Sequence, residues 1–368
     1  MLGIGFDTGG SRTTYSTDRG DGPQMESGNE TSASLANARD NSSTQAAISW
    51  IIDVIHSQED DEIVAWIGAA GFSAATSRAI EAQFAAPLRE LSERLELEDR
   101  HCEVYIANDA ISILKAPPLL GAGVVAIVGT GSVVLGAHPK CHAGVIKRGG
   151  WEWLVSDEGA GVWMTLQCIR LLLLDIQSRG SLDYRSVLLD RLADHLSITV
   201  EDTQHIPASH RAMAKAELIA RRAAENRPDT KRFFASFVHP DIFDLAVLKT
   251  GLPHDPLAAQ VLEESVRHIA EGADFVSTTL AAHTADEPNQ RESLPMVVGG
   301  KIAANPHYDE MLRAAVGSTC RSVNAVETIG DAAERLATLA IHYLKANTRG
   351  KSAIMRSPDP LHSIVRLL

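Results

Sequence analysis

The stretch of sequence that decides the fold is LGIGFDTGGSRTT, Leu2 to Thr14. Its apolar run ends at Asp7, and a glycine pair, Gly9 and Gly10, leads into a run of hydroxyl side chains. This pattern predicts a buried strand, a tight turn and a second strand. Because glycine has no Cβ, the turn backbone can adopt positive φ and approach a bound anion, while Asp7 can meet a metal ion. The alternative is an ordinary β-hairpin with a glycine turn.

A second segment, VVAIVGTGSVVLG at residues 124–136, repeats this pattern. Its turn, GTGS at residues 129–132, again joins two apolar runs. The match predicts two similar half-molecules, each offering one phosphate-facing hairpin to a cleft that could grip a polyphosphate.

Three further segments place polar or small residues at the ends of apolar runs. PMVVGG, residues 295–300, precedes Lys301 and Asn305 at a predicted helix start, and such a turn suits a nucleoside base or ribose. In IANDA, residues 106–110, a short predicted strand ends in the amide of Asn108 and the carboxylate of Asp109. The third segment is GGWEWLVSDEGAG, residues 149–161.

In this order, the segments resemble the motifs of the sugar kinases, in the superfamily that also holds hexokinase, actin, acetate kinase and the heat-shock ATPases. The likeness is strongest to the N-acetylglucosamine kinase and BadF/BcrA-type ATPase family. The first phosphate motif of that family resembles DTGGSRT at residues 7–13. Its catalytic motif resembles NDA at residues 108–110, and its second phosphate motif matches GTGS at residues 129–132. Its sugar signature, GGWG followed by GDEGSG, resembles residues 149–161, and its adenosine motif resembles VVGGKIAAN at residues 297–305. The likeness covers about residues 2–340 and implies an α/β fold of two ribonuclease H-like domains, of the actin and hexokinase type, with a nucleotide and sugar cleft between them.

The resemblance also implies a reaction, in which the γ-phosphoryl group of Mg²⁺-bound ATP passes to the 6-hydroxyl of N-acetylglucosamine or glucosamine. Asp7 would anchor Mg²⁺ through water, and Asp109 would be the catalytic base. The residues carried over are, for the ATP phosphates, Gly9, Gly10, Ser11, Arg12, Thr13, Gly129, Thr130, Gly131 and Ser132; for adenosine, Gly299, Gly300, Lys301 and Asn305; for the sugar, Asn29, Asn108, Asp109, Gly150, Trp151 and Asp157; and for the metal, Asp7.

Each of these residues also has a structural interpretation. Asp109 can be the N-cap of the following helix, and Asp7 can bind the amides of its turn. Trp151 can belong to a core instead of facing a pyranose ring, Asp157 can be a solvated carboxylate, and Asn29 is by default a turn residue.

The sugar signature departs from the family pattern at Glu152, Ser156 and Ala160. These departures bear on sugar specificity more than on nucleotide chemistry.

A second hypothesis for the function is a sugar-independent ATPase that drives a partner protein. The absence of cluster-forming cysteines and the presence of the GGW and DEGAG segments oppose it. A third hypothesis is a sugar sensor that has lost catalysis. The presence of Asp7 and Asp109 argues against it.

Composition limits the remaining possibilities. A chain of 368 residues with 45% hydrophobic content can form two cores, and we predict domains at 1–116 with a returning helix at 331–347, and at 117–330 with helical insertions, before a tail at 348–368. The net charge of −13 argues against a nucleic-acid partner. Four irregularly spaced cysteines, no leader pattern and no long uncharged apolar run predict a cytoplasmic protein with no membrane partner. The resemblance adds a small-molecule amino sugar and a homodimer as expected partners.

Overall fold

The computed structural model describes residues 1–9, 13–21, 23–24, 41–73, 76–151, 154–179, 184–225, 230–246, 254–284, 293–330, 332–347 and 365–368. Within these ranges the chain forms two mixed β-sheets bordered by helices.

The first sheet is built mostly from the N-terminal third of the chain. Its strands are β1 (Leu2–Thr8), β2 (Thr13–Asp18), β3 (Pro23–Gln24), β4 (Glu62–Ala69), β5 (His101–Asn108) and, from the C-terminus, β11 (Val365–Arg366). Their order across the sheet is β11-β5-β4-β1-β2-β3. The central strands β1 and β4 are buried along almost their whole length. Continuous apolar runs of this kind are typical of parallel strands covered on both faces.

The second sheet has five strands. They are β6 (Gly123–Val128), β7 (Ser132–Ala137), β8 (Ile146–Gly149), β9 (Leu294–Gly299) and β10 (Val323–Thr328), in the order β10-β9-β6-β7-β8.

The two sheets repeat one topology. In each, the first strand pairs antiparallel with the second and parallel with the fourth, and the fourth pairs parallel with the fifth. The hairpins β1–β2 and β6–β7 therefore occupy equivalent places. This repeat confirms the predicted pair of similar halves and the predicted ribonuclease H-like fold class.

Helices connect and cover the strands. They are α1 (Asn41–His56), α2 (Ser77–Leu97), α3 (Asp109–Lys115), α4 (Gly161–Arg179), α5 (Val187–His195), α6 (Ala208–Ala224), α7 (Thr230–Ser236), a π-helical turn (Val238–Ile242), α8 (Phe243–Ala246), α9 (Pro256–Thr284), α10 (Pro306–Thr319) and α11 (Ala332–Asn347). Helix α2 buries Ile80, Phe84, Leu88, Leu91 and Leu95, whose spacing keeps one apolar stripe against the sheet.

Helix α11 returns from the second half of the chain to pack on the first sheet. Glycine in β1 makes this possible, since a Cβ at Gly5 would collide with backbone atoms of Ala333 and Ala337. Further along the helix, the Tyr343 and Tyr105 hydroxyls are hydrogen-bonded at 2.8 Å beside Trp66.

Helix α3 makes the reciprocal contact, because it leaves β5 and packs against the second sheet. Its side chains Ile111 and Leu114 share a core with Val125 and Val297. The start of α3 thus lies where the two halves meet. The predicted domain boundaries themselves stay a prediction.

Apolar spacing in the sequence predicts helices at 45–57, 75–97, 255–280 and 331–345 and a strand at 63–70, and the structure has each of them to within a few residues. One difference lies in the predicted tail, because Val365 and Arg366 pair with β5 and close that edge of the first sheet. Among the described residues, none of the helices combines the length and the hydropathy that crossing a membrane requires.

Candidate active site

The carboxyl ends of three parallel strands bring the predicted metal and catalytic residues to one edge of the first sheet. Asp7 in β1 pairs with Gly68 in β4, and Ala69 pairs with Asn108 in β5. Because neighbouring strands lie about 4.8 Å apart, Asp7 and Asn108 are separated by roughly 10 Å. Asp109 lies close to the middle strand, since a Cβ on Gly68 would be 3.4 Å from the Asp109 Cα. The predicted metal residue and the predicted catalytic residue therefore lie at the same edge of the first sheet.

The structure corrects one alternative for Asp109, because the N-cap of α3 is Asn108. The Asn108 Oδ1 accepts hydrogen bonds from the amides of Ala110 (3.1 Å) and Ile111 (3.4 Å). Its backbone is still extended, as a cap requires, and Asp109 is the first helical residue. The Asn108 oxygen is therefore engaged, and its amide nitrogen is the atom with which it can bind a sugar.

Asp109 is a half-buried carboxylate in a mixed environment. Burial raises its pKa above the ordinary value, while the Ala110 amide, at 2.8 Å from Oδ1, and the Lys147 ammonium act in the opposite direction. Burial makes the carboxylate more basic than a solvated one, and the nearby positive charge favours its ionised form.

The first glycine turn is described only at its borders. Gly9 follows β1, and Thr13 opens β2. The Thr13 hydroxyl is buried and has no hydrogen-bond partner among the described residues. A buried hydroxyl needs a hydrogen-bond partner. Thr13 lies at the turn where a phosphate is expected, and a phosphate oxygen could be that partner. The predicted site residues Gly10, Ser11, Arg12 and Asn29 lie outside the described residues.

The second glycine turn, residues 129–132, is the centre of the second half of the site. The Gly161 amide at the start of α4 donates to the Gly129 carbonyl at 2.9 Å, and the Ser132 hydroxyl donates to the Glu158 carbonyl at 2.8 Å. A Cβ on Gly131 would lie 2.6 Å from Asp157 Oδ2, whereas a Cβ on Gly129 would meet nothing within 4 Å. The turn therefore has open space on one side and the DEGAG segment directly against the other.

The predicted adenosine turn, which begins at Gly299 and Gly300, packs against the backbone of Val128, just before the second glycine turn. Gly300 has φ +103°, and a Cβ there would collide with the Val128 backbone immediately before the second glycine turn. The Ile302 amide donates to the Val128 carbonyl at 3.2 Å. Residues 301–304 form a turn, with Lys301 exposed, so α10 begins later than predicted and Asn305 is its N-cap. Gly299 is buried in β9, where a Cβ would meet Ile127 at 3.2 Å.

The glycine pair before Trp151 bends the chain toward the site. Gly149 and Gly150 have φ +75° and +68°, values that favour glycine. The Ser156 hydroxyl accepts a hydrogen bond from the Trp151 amide at 3.0 Å and closes the loop. Trp151 is 66% exposed, so it is not a core residue. Three residues depart from the family pattern. Ser156 is the one that closes this loop through its hydroxyl, Ala160 is buried, and Glu152 lies outside the described residues.

No motif in the sequence indicated Lys147, a half-buried residue of β8. Its ammonium donates to the Gly150 carbonyl at 2.8 Å and lies 4.5 Å from the centre of the Trp151 ring. Burial lowers the pKa of Lys147, and the carboxylates of Asp157 and Asp109 partly offset this effect. The only sequence signal for this residue was its place two positions before the glycine pair.

A cavity of about 300 Å³ opens beside the predicted adenosine turn. Its walls come from the start of α10, from the π-helical turn and from the start of α8. The lining residues are His239, Pro240, Phe243, Asp244, Asn305, Pro306, His307 and Glu310. Asn305 is the one predicted site residue among them, and no motif indicated the two histidines.

Two solved structures share this fold over most of their length. One is a protein from Chromobacterium violaceum proposed to be an N-acetylglucosamine kinase, which is 18% identical with a TM-score of 0.54, over 92% of this chain and 98% of that one. The other, from Porphyromonas gingivalis and proposed to have the same activity, is 16% identical with a TM-score of 0.58, over 91% and 97%. No family model matches the sequence, and no curated protein matches it. The resemblance predicted from the motifs is thus confirmed for the fold.

Proposed function

We propose that this protein is an ATP-dependent sugar kinase that phosphorylates the 6-hydroxyl of N-acetylglucosamine and, as a second substrate, of glucosamine. The observation that carries the proposal is the placement of Asp109, a half-buried carboxylate that follows β5 and begins α3, the helix whose apolar side chains pack on the second sheet. The same proposal includes a homodimer, which the family resemblance implies, and a cytoplasmic location, which the sequence pattern predicts.

In the proposed reaction, Asp109 accepts the proton of the sugar hydroxyl while that oxygen attacks the γ-phosphorus. A bond forms from the sugar oxygen to phosphorus, the bond from phosphorus to the bridging oxygen breaks, and ADP leaves. Burial raises the pKa of Asp109 and so makes it more basic than a solvated carboxylate, while the Lys147 charge acts in the opposite direction. Asn108 supplies the cap of α3, and the Asp109 carboxylate accepts one further hydrogen bond there, from the Ala110 amide.

The phosphates would be bound by the backbone amides of the two glycine turns. Gly129 offers the open side of the second turn, and the Thr13 hydroxyl offers a buried polar atom at the first. When bound, Mg²⁺ would neutralise charge that develops on the phosphates, and Asp7 at the end of β1 would hold it through water.

The nucleoside would lie at the Asn305 end, where Gly300 brings the adenosine turn against the second glycine turn. The 300 Å³ cavity is at the lower limit of small-molecule pockets, and Phe243 and Pro240 give it apolar walls. A base in this cavity would lie beside Asn305, in the segment whose turn packs against Val128 just before residues 129–132.

The acceptor sugar would lie between Asp109 and Asp157, with the exposed Trp151 ring at its edge. Asp157 would accept a hydrogen bond from a sugar hydroxyl, and the Asn108 amide would donate one. Water must be kept from the γ-phosphate, so we propose that sugar binding draws the two halves together.

The test is an ATP-consumption assay combined with mass spectrometry of the sugar product. The panel contains N-acetylglucosamine, glucosamine, glucose and an N-acetylmuramic sugar. Sugar-dependent ADP release with a matching 6-phosphate supports the proposal. ADP release that no sugar stimulates favours the sugar-independent ATPase, and sugar binding without any turnover favours the silent sensor.

A further inference from the structure

The chain passes between the two halves of the molecule twice. The first crossing joins α3 to β6, and the second joins β10 to α11. At the first, the Gly121 amide donates to the Leu114 carbonyl at 2.8 Å, so this crossing is a tight turn bound to the end of α3. At the second, the Ile329 amide donates to the Val298 carbonyl at 2.8 Å, which binds the start of the crossing to β9. Any rotation of one half against the other has to be accommodated at these two crossings.

Arg335 in α11 contacts the first crossing and the strand that leads into the second. Its Nη1 donates to the Pro117 carbonyl in the first crossing at 3.4 Å. Its Nη2 forms an ion pair with the Glu327 carboxylate in β10, two residues before Ile329. Because α11 packs on the first sheet, these contacts tie the first half to both segments that connect it with the second. A guanidinium suits this place, since its fork of N–H donors can hold two partners at once.

A second arginine, Arg313 in α10, contacts the same end of β10 from within the second half. Its guanidinium donates to the Val326 carbonyl and, at 3.1 Å, to the Thr328 hydroxyl. It also pairs with Asp309 of its own helix at 2.8 Å. Arg313 and Arg335 are therefore alike in charge and in contacting β10, but the contacts of Arg313 stay inside one half and those of Arg335 join the two.

We infer that Arg335 is a positioning residue at the pivot between the two halves, where its contacts limit how far one half rotates against the other. Asp109 begins the helix before the first crossing, and the glycine turn at residues 129–132 follows β6 after it. By limiting the rotation, Arg335 fixes the place of Asp109 relative to that turn, a consequence that rests on the proposed function of the site. Atoms far from a pivot move through a larger arc than atoms at it. Loss of Arg335 should therefore broaden the distances between the halves without unfolding either of them.

The first experiment needs no substrate and measures the distance between the two halves. The four cysteines are buried, so introduced surface cysteines can be labelled selectively. Glu93 in α2 and Glu217 in α6 are exposed, and Glu93→Cys and Glu217→Cys place one spin label on each half. Double electron–electron resonance then gives the distribution of distances between the labels.

We expect Arg335→Gln and Glu327→Gln each to broaden this distribution. The double variant should match Arg335→Gln, because the two side chains act through one ion pair. Arg313→Gln should leave the width unchanged. Equal widths in the parent and in Arg335→Gln, or the same broadening in Arg313→Gln, overturn the inference.

The second experiment compares sugar phosphorylation with thermal stability. A partly exposed ion pair biases an equilibrium by up to about fivefold, so kcat should fall by about two- to fivefold in Arg335→Gln. Both arginine variants should lower the melting temperature to a similar small extent, whereas Arg313→Gln should keep the parental kcat. A parental kcat in Arg335→Gln, or an equal fall in Arg313→Gln, contradicts the inference.

The two readouts separate this inference from the proposed function. If the distance distribution broadens in Arg335→Gln while the parent phosphorylates no sugar, the proposed function fails and the pivot stands. If the parent is a kinase and neither the distribution nor kcat moves, only the inference about Arg335 fails.

Discussion

Gly131→Ala tests whether the second glycine turn positions Asp157, the carboxylate that we propose binds the sugar. The added Cβ would lie 2.6 Å from Asp157 Oδ2, and ordinary contact begins at 3.4 Å, so the carboxylate must move by about 0.8 Å. A displacement near 1 Å at a reacting centre can cost roughly 10²-fold in rate. We therefore expect kcat/KM for the sugar to fall by about 10- to 100-fold. The free energy of unfolding should change by only about 1 kcal/mol, because the atom in the way ends a side chain.

The matched control is Gly129→Ala, the same substitution two residues earlier in the same turn. Its Cβ would meet nothing within 4 Å, so Asp157 stays in place. If phosphates use that open space, Gly129→Ala should raise KM for ATP while KM for the sugar stays near the parental value. Steady-state kinetics with each substrate varied in turn separates the two effects. If Gly131→Ala and Gly129→Ala lower kcat/KM for the sugar equally, the proposal that Gly131 leaves room for Asp157 is refuted.

Two further predictions concern the metal and the fold. Asp7→Ala should raise the Mg²⁺ concentration needed for half-maximal turnover while sugar affinity, measured by calorimetry, stays nearly intact; unchanged turnover at limiting Mg²⁺ would remove Asp7 from the site. Gly5→Ala should lower the free energy of unfolding in urea by at least about 3 kcal/mol, because its Cβ would collide with α11 backbone that cannot move aside. Gly317→Ala in α10 is the control: its Cβ meets nothing within 4 Å, so it should stabilise by roughly 0.5–1 kcal/mol, and similar losses in both variants would contradict this packing.

The elements that the sequence predicted well are those with a local pattern. The buried strands β1 and β6 are apolar runs that end in glycine turns, and their repeat predicted two similar sheets. Helix α9 was predicted from its apolar period. The reason is physical, since burial of one face imposes a period that can be counted in one dimension.

What the sequence did not predict depends on contacts between distant segments. Asn108 and Asp109 are both good N-cap residues, and only the extended backbone of Asn108 decides between them. Lys147 meets Trp151 because the chain turns at Gly149 and Gly150, whose positive φ values no sequence period reveals. The strand β11 has two residues, too few for any period, and its partner β5 lies far away in sequence.

The measurement that tests the proposed mechanism most directly is single-turnover transfer of labelled phosphate from ATP to N-acetylglucosamine by Asp109→Asn. We expect transfer to be about 10²- to 10⁴-fold slower than in the parent, since asparagine keeps the size but cannot take the proton. ATP affinity should stay within a few fold, and the melting temperature should change little, because Asn108 caps α3 and an amide oxygen can still accept the Ala110 hydrogen bond. A folded Asp109→Asn variant that binds ATP and phosphorylates the sugar nearly as fast as the parent would contradict the mechanism.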